Sequence, residues 1–198
     1  MKVFGSWRDW APADADLSGK LSPDTVVVLA KAYAFAEERH AGQTRPAGEP
    51  YPWHLLEALE IAVDSGATDA DVLTAALLHD VVEDTPCTLA EVRAAFGPRT
   101  AELVDWVTKP DAAEGEDPAE VRAGYLARFA SAPADVLTVK LSDRYSNVQR
   151  LDTHPRPAKQ ASYYAETVRN IVPLAQPFPY FQGLFTQWQQ HYAHLASG

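Results

Sequence analysis

The sequence predicts an all-α protein, a compact and irregular helical bundle. Three observations predict it. Apolar residues recur at helical spacing over most of the chain, and few stretches alternate with period two. No Asn-Gly or Asp-Gly pair joins strand-like runs. The strong punctuation is Gly and Pro placed where helices start and stop.

Residues 1–20 read as an irregular N-terminal arm, with Trp7 and Trp10 as packing anchors. Ser22-Pro23-Asp24 supplies an N-cap, a proline at the first helical position and an acid in the first turn. The helix it opens runs to about His40 and ends before Gly42. Residues 43–52, QTRPAGEPYP, are a loop with three prolines and a glycine. A helix over 53–65 stops at Gly66, and another over 69–84 is ended by Thr85-Pro86. Thr88 with Glu91 forms a capping box for a short helix to Phe96. Gly97-Pro98 breaks the chain before a helix over 99–109. The acidic segment 110–118, PDAAEGEDP, is a surface loop, and helices follow over 119–131, 134–150, 157–175 and 181–195. The predicted organisation is an arm (1–20), one domain (21–176) and a C-terminal aromatic helix (177–198) packed on it.

Composition excludes several classes. The 198 residues are 46% hydrophobic and 22% charged, enough apolar material for a core and against wholesale disorder. Lys and Arg total 17 against 27 Asp and Glu, a net charge of −10 that argues against bulk nucleic-acid binding. A local cluster of cations can still hold a small anion. The lone cysteine, Cys87, excludes an internal disulfide framework and a cysteine-rich zinc site. No apolar run approaches the length of a membrane helix and the N-terminus has no apolar signal core, so a cytoplasmic chain with no membrane partner is expected.

The chemistry concentrates in AALLHDVVEDT. On a helix, His79 and Glu83 are i,i+4 neighbours, as are Asp80 and Asp84, in a run that is otherwise Ala, Leu and Val. Burying carboxylates without partners is unfavourable by several kcal/mol, and a divalent metal is the simplest way to offset it. A charged solvated face is the plainer alternative. His54 alone reads as a cap or packing residue, and Asp143 and Asn147 alone as part of an amphipathic helix with Lys140 and Arg144. Together, His54, His79, Asp80 and Asp143 offer two imidazoles and two carboxylates, a set that suits Mn, Fe, Co, Ni or Zn. Such a metal lowers the pKa of bound water, and Glu83 and Asp84 stand one turn on to handle its proton. Arg45, Lys140 and Arg144 supply charge suited to phosphate. His191 and His194 lack a third ligand and are read as packing, as are the aromatics around them; Cys87 has no partner that would make it a nucleophile.

The order H…HD…D resembles the HD superfamily of metal-dependent phosphohydrolases. Four blocks in order, HAGQTRPAGEPYPWH, GATDADVLTAALLHDVVEDT, FGPRTAELVDWVTK and VKLSDRYSNVQRL, resemble the hydrolase domain of RelA/SpoT-type enzymes, over roughly residues 25–175. At this length the chain is most similar to a stand-alone small alarmone hydrolase. The resemblance implies an HD-type bundle and one Mn(II) held by His54, His79, Asp80 and Asp143. It implies that Glu83 and Asp84 activate or position water, that Arg45 contacts the substrate and that Asn147 lies near the ribose. The implied reaction removes the 3′-pyrophosphate of (p)ppGpp, giving GDP or GTP.

The chain departs from the family pattern at Pro46 after Arg45, at Tyr145-Ser146 where the family reads Leu-His, and at Val148-Gln149-Arg150. The changes at Pro46, Gln149 and Arg150 motivate one rival, hydrolysis of another phosphorylated nucleotide such as NADPH; a rival of another class is a non-catalytic nucleotide-sensing module. The intact ligand set and acidic pair favour an enzyme. The aromatic C-terminus leaves a homo-oligomer open, and an antitoxin role would add a toxin partner.

Overall fold

The computed structural model describes residues 1–197. Its helices are α1 (Trp10–Leu17), α2 (Pro23–Arg39), α3 (Tyr51–Asp64), α4 (Ala70–Leu78), α5 (Leu89–Phe96), α6 (Pro98–Val107), α7 (Pro118–Ala127), α8 (Ala134–Val148), α9 (Pro157–Asn170), α10 (Val172–Ala175) and α11 (Pro179–His191). Short 3-10 turns occupy Arg128–Ser131, Leu151–Thr153 and Ala193–Ser197. There is no β-strand among the described residues, only an isolated antiparallel bridge between Thr44 and Pro50. Among the described residues no helix is long and apolar enough to cross a membrane.

The caps fall where local chemistry puts them. Ser22 Oγ accepts the Thr25 N–H, and Thr88 with Glu91 makes the reciprocal capping box. Gly66 and Gly97 take φ of 96° and 93°, a region L side chains rarely adopt, and so end one helix and separate two others. Residues 110–117 are an irregular, mostly exposed loop.

Three differences from expectation matter. The arm is not irregular throughout: Asp9 accepts the Ala11 N–H and caps α1, while Phe4 and Trp7 are buried and Trp10 stacks on Tyr33 at 5.6 Å. The predicted helix 69–84 ends at Leu78. His79 Nδ1 takes the Ala76 carbonyl at 2.8 Å, a side-chain bond at the helix end, and residues 79–83 continue as turns. Finally, α3 starts at Tyr51, two residues earlier than expected, because Pro52 suits the first turn of a helix.

The core lies between α3, α4 and α8. Nearly every residue of α4 from Val72 to Leu78 is buried, and α3 buries Leu55, Leu56, Leu59 and Ile61 completely. α3 packs against α8 and α4, and α4 also packs against α2 and α6. The C-terminal aromatics close one side: Trp188 is fully buried and its Nε1 donates to the Val148 carbonyl at 2.8 Å, while Phe185 meets the Tyr145 ring edge-on at 5.4 Å. A polar cluster sits inside this apolar arrangement, where α3, the end of α4 and α8 meet.

Candidate metal centre

His54 lies in the first turn of α3, His79 and Asp80 follow the last residue of α4, and Asp143 lies in the middle of α8. Their side chains converge. Nε2 of His54 is 3.0 Å from Nε2 of His79, and Oδ2 of Asp80 is 3.4 Å and 3.0 Å from those two nitrogens. Oδ1 of Asp143 is 3.5 Å from both. His54, His79 and Asp143 are buried.

The ring tautomers follow from their outer partners. His79 Nδ1 must donate to the Ala76 carbonyl, since that oxygen can only accept. Ser146 Oγ donates to Glu57 Oε2 at 2.9 Å, so it accepts from His54 Nδ1 at 2.8 Å. Both Nε2 atoms therefore present lone pairs to each other and to two carboxylates. Four acceptors facing inward need a cation among them. Donors about 2.1 Å from a first-row ion lie about 3.0 Å apart at right angles and about 3.4 Å apart at tetrahedral angles, close to the separations seen here. The residues fit a divalent ion.

A proton on His79 Nε2 is the alternative to a metal ion as that positive charge. Burial alone would push the His79 imidazolium down, but the Asp80 and Asp143 carboxylates reverse this and hold it well above its ordinary value. Burial would raise both acids; His79 holds Asp80, and Lys140 with the two imidazoles holds Asp143, well below the carboxylate range. Lys140 is buried, donates to Asp143 Oδ2 at 2.8 Å and to Tyr125 Oη at 3.0 Å, and Asp143 keeps it charged against its burial.

The cluster opens into a cleft of about 330 Å³. Glu83 and Asp84 line it but do not share a helical face with His79 and Asp80, because the helix has ended. Glu83 accepts from Lys109, at the backbone N (2.9 Å) and at Nζ (2.8 Å). Asp84 meets the Tyr51 hydroxyl, which lies 2.6 Å from Oδ2 of both Asp80 and Asp84. Arg45 donates to Asn147 Oδ1 at 2.8 Å, across the mouth between the 43–50 loop and α8. Asn147 Nδ2 in turn donates to the Asp143 carboxylate. Arg144 also lines the cleft, and Glu166 accepts from it at 2.8 Å and from Arg122 at 2.7 Å. All three cations expected at phosphate line the cleft, with Arg144 paired to Glu166 and Lys140 to Asp143.

Sequence reasoning did not single out Tyr51, Glu57, Lys109, Arg122 or Ser146 for a role. Tyr51 and Glu57 each stand three residues from His54, and a glutamate inside LLEALEIA was a usable signal. Lys109 and Arg122 had none, since only folding brings Lys109 to Glu83 and Arg122 to Glu166. The departure at 149 is also explained: Gln149 is buried, accepts the Phe4 N–H at 2.7 Å and donates to Glu57, so it faces the arm.

These features define a class: an all-helical chain with a mixed imidazole and carboxylate cluster beside a cleft. Residues 32–179 match the model of the HD domain family, and the chain belongs to that family. It is 37% identical over 158 residues to the bifunctional (p)ppGpp synthase/hydrolase SpoT of Escherichia coli K12, covering 78% of this chain and 22% of that protein. It is 36% identical over 178 residues to the guanosine-3′,5′-bis(diphosphate) 3′-pyrophosphohydrolase of Vibrio cholerae, covering 88% and 24%. The chain thus spans less than a quarter of the length of these curated relatives. A solved metazoan ortholog of SpoT, described as hydrolysing ppGpp, shares the fold with a TM-score of 0.75 at 24% identity, over 83% of this chain and 95% of that one.

Proposed function

We propose that this chain is a guanosine-3′,5′-bis(diphosphate) 3′-pyrophosphohydrolase. Water adds across the bond between O3′ and phosphorus of (p)ppGpp, and GDP or GTP and pyrophosphate leave. The observation that carries this reading is the convergence of His54, His79, Asp80 and Asp143 beside a cleft lined by Arg45 and Arg144. The names of the E. coli and Vibrio relatives support the substrate.

Those four residues would hold one divalent ion, with Mn(II) as the proposed metal. When bound, such an ion lowers the pKa of water and polarises a phosphoryl oxygen. Glu83 and Asp84 hold and move the water's proton, Glu83 in a position set by Lys109 and Asp84 by Tyr51. Arg45 and Asn147 orient the nucleoside end, and Arg144 offsets phosphate charge. Lys140 acts through Asp143. The proposed place of action is the cytoplasm.

A second reading is hydrolysis of another phosphorylated nucleotide such as NADPH. Pro46 and Arg150, two departures from the family pattern, both line the cleft and favour it. One assay separates the two: ppGpp and NADPH, each with and without Mn(II), with products resolved by ion-exchange chromatography. Mn(II)-dependent release of GDP and pyrophosphate is expected. A folded protein that releases neither from ppGpp overturns the first reading, and turnover of NADPH alone establishes the second.

A further inference from the structure

Glu57 is a buried carboxylate with four donors around it. Oε2 accepts from Ser146 Oγ at 2.9 Å and from Gln149 Nε2 at 2.7 Å. Oε1 accepts from Arg150 Nη1 at 2.8 Å and Arg8 Nη1 at 3.1 Å. Helical spacing puts Glu57 on the same face of α3 as His54, three residues away, and Ser146 on the same face of α8 as Asp143. Each helix therefore brings one inward ligand and one supporting group to the same place.

We propose that Glu57 is a positioning residue for the metal centre, acting on His54 through Ser146, with the N-terminal arm holding it there. The inference rests on the metal-site reading above. Ser146 has one proton and spends it on Glu57, so its oxygen is left to accept from His54 Nδ1. That bond selects the tautomer whose Nε2 lone pair faces His79, Asp80 and Asp143. Donation to an anion polarises the hydroxyl and makes it a better acceptor, which raises the donor strength of Nε2. Gln149 and the two arginines fix the carboxylate. Arg8 comes from the arm and stacks on the Trp53 ring at 4.5 Å, and Arg150 also donates to the Phe4 carbonyl, so the arm braces the relay from behind. A glutamate that only anchored the arm would need no serine between it and a ligand histidine.

The test is calorimetric titration of Mn(II) alone into the metal-free full chain, with urea unfolding of the same metal-free samples. Ser146→Ala removes the relay and leaves Glu57 three donors, so the fold is retained. Its Mn(II) affinity is expected to fall about 10–100-fold, the usual range for a lost outer partner. Ser146→Thr keeps the hydroxyl and is expected to restore affinity to within about threefold of the parent. Glu57→Gln is expected to weaken binding similarly, with little further loss in the double variant, because both act through one bond. A Ser146→Ala protein that binds Mn(II) within about twofold of the parent overturns the relay, as does a parent chain that takes up no Mn(II). Failure of the parent to hydrolyse ppGpp while these affinity differences hold would overturn the proposed activity and leave the relay standing.

Discussion

Nε2 of His54 faces Nε2 of His79 across 3.0 Å, and each ring commits its Nδ1 proton to a partner outside the pair. Two lone pairs at that distance, with two carboxylates beside them, repel unless a cation lies between. Binding that occurs only in the folded state stabilises it, by about 2.7 kcal/mol at a ligand concentration a hundred times Kd. Mn(II) is therefore expected to raise the melting temperature, and a chelator to reverse the rise. His79→Ala and Asp80→Ala should abolish both the shift and turnover. An Asp80→Ala protein with full activity would contradict the ligand set.

Glu83 is held by Lys109 and is not one of the converging ligands. Glu83→Gln is therefore expected to lower kcat by about 10²–10⁴-fold, the usual range for losing a general acid or base. Mn(II) affinity should stay within about twofold of the parent, since the ligands are unchanged. A fall in metal affinity as large as the fall in kcat would place Glu83 among the ligands instead.

Lys140 is the buried counter-charge of Asp143. Lys140→Met keeps the apolar stem and removes the charge. In metal-free protein this leaves a buried carboxylate unpaired and is expected to lower unfolding free energy by about 3–5 kcal/mol in urea. Mn(II) should recover part of that loss, because the other oxygen of the same carboxylate faces the two imidazoles and would help hold the ion. Equal losses with and without Mn(II) would separate Lys140 from the metal centre.

The pH dependence of stability has a readable component away from the ligands. Burial would raise the Glu166 carboxyl, but Arg122 and Arg144 more than reverse this and hold it below its ordinary value. Between the lowered folded value and the ordinary one, the unfolded chain binds a proton that the folded chain does not, so stability rises with pH there. The contribution of Glu166 is complete above the ordinary glutamate range and is lost as pH falls through the folded value. Glu166→Gln should therefore lose stability near neutral pH and differ little from the parent in acid. A difference that stayed constant between pH 7 and about 3 would show that the ion pairs are not its source.

Much of the site was legible before folding, and the illegible part has definite causes. His79 and Asp80 stood out because they are polar groups in a strongly apolar helical run, while His54 and Asp143 became legible only in combination with them and with the order of the family motifs. The i,i+4 reading of His79 with Glu83 and Asp80 with Asp84 did not hold, because His79 bonds the Ala76 carbonyl and the helix stops. The acidic side chains then separate, Glu83 toward α6 and Asp84 toward Tyr51. The helix within the arm was missed because its eight residues include two aspartates, a proline and only weak amphipathicity. Arg8 could not be foreseen near Glu57, since nothing local links residues 49 positions apart.

The sequence by itself determined the all-helical class, most helix limits and the order of the proposed ligand residues. Caps, prolines, glycines and apolar spacing act within a few residues, so they can be read along the chain. Only the tertiary structure decided how the polar groups divide their bonds: Lys140 to Asp143, Lys109 to Glu83, Arg45 to Asn147, and Glu57 through Ser146 to His54. Each of those side chains could serve several partners. Burial makes an unpaired charge so unfavourable that the packed geometry of α3, α4 and α8 selects among them.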